Sequence, residues 1–283
     1  MQKPRGWQQW TLIALGLVAV FFLLILPLVI IFTKAFSAGW DVMVQNLTNK
    51  DMLHAIGLTL VAALITVPIN LVFGILLAWC VTHYEFRGRK LLITLIDIPY
   101  ATSPVVAGLC YLVIYGVESS IGGWFSRQGI QLMFAWPGIV MVTIFVTSPF
   151  VARILIPLMQ AQGSDEEQAA LTLGANGWQI FRRVTLPNIK WALLYGVVIT
   201  NARAVGEFGA VSVVSGAIRG QTVTLSLLVE QLNDDYKTVG AFTAAGLLAC
   251  MALLTLVLKT IMEWTQSRTG DNDRVPPPLV ARH

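Results

Sequence analysis

Six apolar runs, at residues 12–32, 58–81, 91–115, 138–159, 191–214 and 241–262, constrain this chain more than any other feature. A hydrocarbon layer about 30 Å thick is crossed by about 20 helical residues, and every run reaches that length. Backbone groups in lipid must be satisfied internally, so these runs are helices and not strands. The expected fold class is all-α, a polytopic membrane protein with six transmembrane helices. Composition agrees: 56% of the 283 residues are hydrophobic and 12% are charged, against about 25% charged in ordinary soluble domains. The first run exceeds the roughly 7–15 apolar residues of a cleaved signal peptide and reads as a lasting anchor.

Between the fourth and fifth runs lies a polar island, residues 163–187, GSDEEQAALTLGANGWQIFRRVTLP. Connections this long are usually functional, and the local chemistry predicts a folded one. Ser164 and Glu167 have the spacing of a capping box. Asp165 and Glu166 fall in the first turn, where negative charge suits the helix dipole. Gly174 ends that helix as a left-handed residue. A second short helix is expected over 178–184, stopping before Pro187. A helix-turn-helix knob outside the membrane is built to touch something.

Orientation follows from Lys and Arg placement. Lys3 and Arg5 precede the first run; Arg87, Arg89 and Lys90 crowd the loop before the third. Arg182, Arg183 and Lys190 lie in the knob, and Arg268, Arg274 and Arg282 in the tail. The other side carries Lys34, Lys50, Arg127, Arg219 and Lys237, spread over three loops. Both termini and the knob are therefore expected in the cytoplasm. The net charge of +4 is this bias, without a basic cluster suited to nucleic acid. No P-loop, H-E-x-x-H or G-x-S-x-G pattern is present. His54, His83 and His283 are scattered over a span edge, a loop and the terminus. Cys80, Cys110 and Cys250 lie in the runs as apolar packing residues, with no metal-ligand spacing. The reading is a non-enzyme with no catalytic residues, no metal and no cofactor of its own.

Ionisable groups within the runs need a reason, since each costs about 2.5–3.5 kcal/mol at mid-membrane even on a mild scale. Asp97, Arg153, Arg203 and Glu207 are such groups. Arg203 and Glu207 are four apart and can pair on one helical face. They read either as a structural ion pair or as part of an anion pathway or gate; Asp97, only about two turns from the cytoplasmic edge, is a further pathway candidate or is simply hydrated or paired there. Pro99 and Pro104 straddle Ser103, so the third span should be bent. Residues Leu225, Leu228, Val229 and Leu232 have helical spacing, which predicts a short amphipathic helix within 215–238.

The island resembles the EAA loop of ABC importer permeases, E-A-A-x3-G-x9-I-x-L-P. Gln168, Ala169, Ala170, Gly174, Val184, Leu186 and Pro187 keep every spacing, with Gln168 in place of the usual Glu and Val184 in place of Ile. Residues 201–222 (NARAVGEFGAVSVVSGAIRGQT), 51–79 and 97–109 (DIPYATSPVVAGL) are similar to the sulfate/thiosulfate group, and within it to the W-type subunit. That resemblance covers the first run to about Trp264. It implies type I importer architecture and a coupling loop, residues 160–190, that docks on a separate ATPase. Glu167, Gln168, Ala169, Ala170, Gly174, Leu186 and Pro187 would form the ATPase-coupling contact. The implied partners are a T-type permease, two ATP-binding subunits holding ATP and Mg, and a periplasmic sulfate/thiosulfate-binding protein. The location implied is the bacterial inner membrane. Residues 1–53 then form the first helix and its flanks, 54–264 the core permease domain, and 265–283 a disordered tail. Molybdate or tungstate is the alternative cargo. An ion-coupled secondary transporter is a more distant alternative that leaves the knob unexplained.

Overall fold

The structure, a computed structural model, describes residues 6–272. All of the regular structure among these residues is helical. Helices α1 (Gly6–Val20) and α2 (Leu26–Ala35) form one rod through a π turn at Phe21–Ile25. After α3 (Trp40–Leu47) comes the long central helix α4 (Lys50–His83), opened by Asn49, whose side chain accepts from the Asp51 N–H. The buried face of α4 runs Met52, Ala55, Thr59, Ala62, Thr66, Asn70, Gly74, Ala78 and Val81. Small residues at three- and four-residue spacing let neighbouring helices approach closely. At Gly74 the approach is closest: a Cβ there would lie 2.5 Å from Cβ of Val151.

The third apolar run forms two helices, α5 (Arg89–Ala101) and α6 (Pro104–Tyr115), bent 105° at Thr102–Ser103. Proline restrains the residue before it away from helical geometry, and Ser103 is extended. The expected bend is there. After α7 (Ser120–Arg127), α8 (Trp136–Thr147) and α9 (Pro149–Gln162) run on as one 27-residue span. Asn70 ties α4 to α8, donating to Thr147 Oγ1 (2.6 Å) and the Ile144 carbonyl (3.2 Å).

The polar island contributes α10 (Asp165–Thr172) and α11 (Gly177–Ile180), then a second π turn at Phe181–Thr185 and α12 (Leu186–Val205). Contrary to expectation, the second helix of the island does not stop before Pro187. The wider π turn accommodates the missing proline N–H and its clash with the preceding turn, so the helix continues into the membrane. The same device precedes Pro27: both π turns stand directly before a Leu-Pro pair.

The fifth run also departs from expectation. Helix α12 ends at Val205, and α13 (Gly209–Val214) starts after a break that begins at Gly206. Among the described residues four helices are long and apolar enough to cross a membrane, or five if the bent α5–α6 pair is one span. The fifth expected span, α12, is not among these; its Asn188, Lys190, Asn201 and Arg203 dilute its apolar character, so the expected count of six is not reached by this criterion. Helix α14 (Leu225–Asp234) is the expected amphipathic helix, with Leu225, Leu227 and Leu228 buried. The last helix, α15 (Thr238–Asn272), carries past residue 265, where the disordered tail was expected to begin. Residues 273–283 lie outside the described residues, as do Lys3 and Arg5. Cys110 and Cys250 are exposed rather than packed.

One core cluster brings α4, α8, α13 and α14 together around Met133, Ile139, Val211 and Leu227. A second joins Ala78, Val151, Leu155, Met159, Ile189 and Leu193. It clamps the ends of α4 and α9 to the start of α12, and the polar island emerges from these ends.

Candidate functional site

The island is built from local rules. Helix α10 closes with the two bonds of a Schellman turn: Ala175 N–H to the Ala170 carbonyl (3.1 Å) and Gly174 N–H to the Leu171 carbonyl (2.9 Å). Gly174 has φ +85°, as expected. Helix α11 opens with a full capping box, Asn176 and Gln179 exchanging side-chain-to-backbone bonds of 2.9 Å each way. This is the same kind of signature as that expected at Ser164, twelve residues further on.

At Ser164 the expected box does not form. Its Oγ accepts instead from Gln168 Nε2 (2.7 Å). Glu167 turns inward and pairs through Oε2 with His83 Nε2, while Oε1 accepts from Thr185 Oγ1. Bonds to a charged acceptor are roughly twice as strong as neutral ones, so the carboxylate gains more here than by capping its own helix. Glu167 therefore touches the last residue of α4 and the π turn leading into α12. Beside it, Glu166 accepts from Asn188 Nδ2. His83, Glu166, Glu167, Thr185 and Asn188 line a polar cavity of about 210 Å³.

An aromatic stack runs parallel to this tie. His83 stacks on Trp79 (4.4 Å between centroids), Trp79 meets Phe181 edge-on (5.4 Å), and Phe181 stacks on Trp178 (5.7 Å). His83, placed in a loop from sequence, is thus a helix-end residue at the centre of the assembly. The outward surface carries Leu171, Leu173 and Trp178, exposed by 63%, 89% and 68%. Gln168, Ala169 and Gly174 are also exposed, and Ala170 and Leu186 are half-buried. Large apolar side chains this exposed on a structured knob stand out from its otherwise polar surface. Sequence reading missed these three side chains because it followed the polar ones.

Within the membrane-spanning part, Arg203 Nη1 lies 2.7 Å from Glu207 Oε2, so the expected pair forms. Glu207 is buried and closes the break in the fifth run. Its Oε1 accepts from the Ala210 N–H (3.0 Å), and its carbonyl accepts from Ser226 Oγ (2.7 Å). Asp97 has a different partner: its Oδ1 accepts from Arg153 Nε (2.7 Å). In the loop beyond, a hydrogen bond from Arg219, helped by Lys237, holds the Asp235 carboxyl below the usual carboxylate range.

The described part of the molecule thus combines a bent span, a span broken at a buried Glu and a folded knob on three clamped helix ends. Residues 70–271 match the family described as binding-protein-dependent transport system inner membrane component, and the chain belongs to that family. It is 61% identical to the sulfate transport system permease protein CysW of Escherichia coli (strain K12) over 93% of this chain and 90% of that one. It is 49% identical to the CysW of Synechocystis sp., over 94% and 96%. It is also 36% identical to the sulfate transport system permease protein CysT of Escherichia coli (strain K12), over 90% and 91%. Its fold is that of a bacterial ABC transporter involved in alginate import, with TM-score 0.75 at 18% identity over 93% and 96% of the two chains. The same score is found for the alginate transporter in complex with its pentasaccharide-bound periplasmic protein, at 19% identity over 94% and 96%.

Proposed function

We propose that this chain is a permease subunit of an ATP-driven importer that carries sulfate, and with it thiosulfate, across the inner membrane. The observation that carries the reading is the 61% identity to a sulfate permease across nearly the whole chain. The folded island supports it, because a secondary transporter needs no such knob. In this reading the subunit pairs with a T-type permease, as the 36% relative suggests. A periplasmic binding protein delivers the anion, and two ATP-binding subunits hold ATP and Mg; this chain has no catalytic role. The termini and the island lie in the cytoplasm, and 54–264 is the core permease domain. Leu171, Leu173 and Trp178 join Gln168, Ala169, Ala170 and Gly174 in facing the ATPase. Glu167, Leu186 and Pro187 link that face to α4 and α12. Arg203, Glu207 and Asp97 remain the candidate gate and pathway residues.

Labelled sulfate uptake in cells lacking the gene, with and without the gene restored, tests this. Restored uptake blocked by excess thiosulfate and hardly by molybdate is expected. Restoration blocked instead by molybdate would move the cargo to the alternative anion. No restoration, with the chain and its partners present in the membrane, would refute sulfate as the cargo.

A further inference from the structure

Arg153 stands about 14 Å along the helix from Gln162, at the island end of its span, taking 1.5 Å per residue. Even so, its side chain is 42% exposed and that of its partner Asp97 is 39% exposed. Charged side chains at such depth almost always face the bundle interior or a water-filled cavity, not lipid. This face of α5 and α9 therefore looks onto water or onto another protein.

The guanidinium is fixed on two sides. Asp97 takes Nε at 2.7 Å, and the Tyr100 ring lies under Cζ at 4.2 Å. Tyr100 is itself held edge-on by Phe150 at 6.3 Å. All three positioning groups lie beside the 105° bend between α5 and α6. Asp97 uses only Nε, so the Nη groups keep N–H donors for a further acceptor. That planar fork matches an oxyanion's geometry better than a point charge would. The other two paired arginines differ. Arg203 is engaged by the carboxylate that closes the break in the fifth run. Arg219 gives Nε and Nη2 to Gln231 and Asp235 in the loop.

We propose that Arg153, held by Asp97 and Tyr100, is a transit site for a tetrahedral oxyanion crossing the membrane. The proposal rests on the anion-importer reading and extends it to a residue. Asp97 neutralises Arg153 between passages and weakens its hold on a dianion, so that the anion is passed on rather than trapped; conduction requires weak binding of this kind.

The test uses the complete transporter with partner permease, ATPases and binding protein, reconstituted in vesicles with labelled sulfate. Arg153→Gln is expected to lower uptake by roughly 10- to 100-fold, the range for losing a hydrogen bond to a charged group. Assembly and ATPase stimulation by the loaded binding protein should persist. Arg153→Lys should fall between and change the ratio of sulfate to thiosulfate uptake. The charge swap Asp97→Arg with Arg153→Asp separates pathway from scaffold: it should assemble and still transport poorly. Full uptake by the swap, or unchanged uptake and selectivity in Arg153→Gln or Arg153→Lys, would overturn the transit site. If Arg153→Gln does not assemble, Arg153→Lys decides by the same criterion. Failure of the native complex to take up any oxyanion would instead reject the importer reading beneath the proposal.

Discussion

Replacing Glu167 with Ala should loosen the island without unfolding the bundle. The carboxylate is 16% exposed and His83 is 20% exposed, so both groups are largely shielded. Glu167 accepts two hydrogen bonds, from His83 and Thr185. Bonds to a charged group contribute about 1.5–3 kcal/mol each, and partial exposure places the loss for both at about 2–3 kcal/mol. At about 1.4 kcal/mol per factor of ten, that is roughly 30- to 140-fold more opening of the loop. Amide hydrogen exchange over Asp165–Thr172 in the purified, assembled complex measures it, because exchange from a locally opening unit follows its opening free energy. His83→Ala removes one of the two bonds and should accelerate exchange by about 10-fold. The double variant should exchange more slowly than the product of the two single effects predicts, since the His83–Glu167 bond removed by the second change is already gone and only the stacking on Trp79 is newly lost. Multiplying effects, or an exchange rate in Glu167→Ala within a factor of about three of native, would refute the tie.

Three further outcomes follow from the geometry. Gly174→Val should reduce coupled uptake per ATP hydrolysed while insertion stays normal. No neighbour lies within 4 Å of an added Cβ, so the cost is the left-handed backbone alone, about 1–2 kcal/mol; Gly174→Asn should be close to native in the same assay. Arg203→Gln should lower the amount of folded protein, since an uncompensated buried carboxylate costs about 3–5 kcal/mol. Adding Glu207→Gln should restore that amount, and quantitative blotting of membranes checks both. Transport that stays lost after the level recovers would assign Arg203 to the pathway. The Asp235 carboxyl is held low by Arg219, so its contribution is present above the usual carboxylate range and lost as pH falls through the depressed value. Carboxyl NMR titration should find a midpoint below that of an unpaired Asp, and Arg219→Gln should raise it.

The apolar runs made the helical class legible, because a span's length and composition are local properties. The bend at Thr102–Ser103 was legible for the same reason: two prolines dictate it. The island's spacing and Gly174 were readable from turn chemistry. What could not be read depended on long-range packing. Glu167 had two good local options, and the choice was made by His83, 84 residues away. The break at Gly206 hides in an apolar run, because Glu207 caps α13 from within it. The π turn before Pro187 follows a rule that a proline alone does not announce, since Pro68 lies inside α4 without one.

That π turn has a mechanical consequence. With the island's second helix and the membrane segment joined in one rod from Gly177 to Val205, Trp178 and Arg203 become two ends of a lever. At 1.5 Å per residue the arm is about 38 Å long, so a tilt of about 5° imposed at the tryptophan displaces the arginine by about 3 Å. A tilt that small is thus wide enough to separate two side chains in contact.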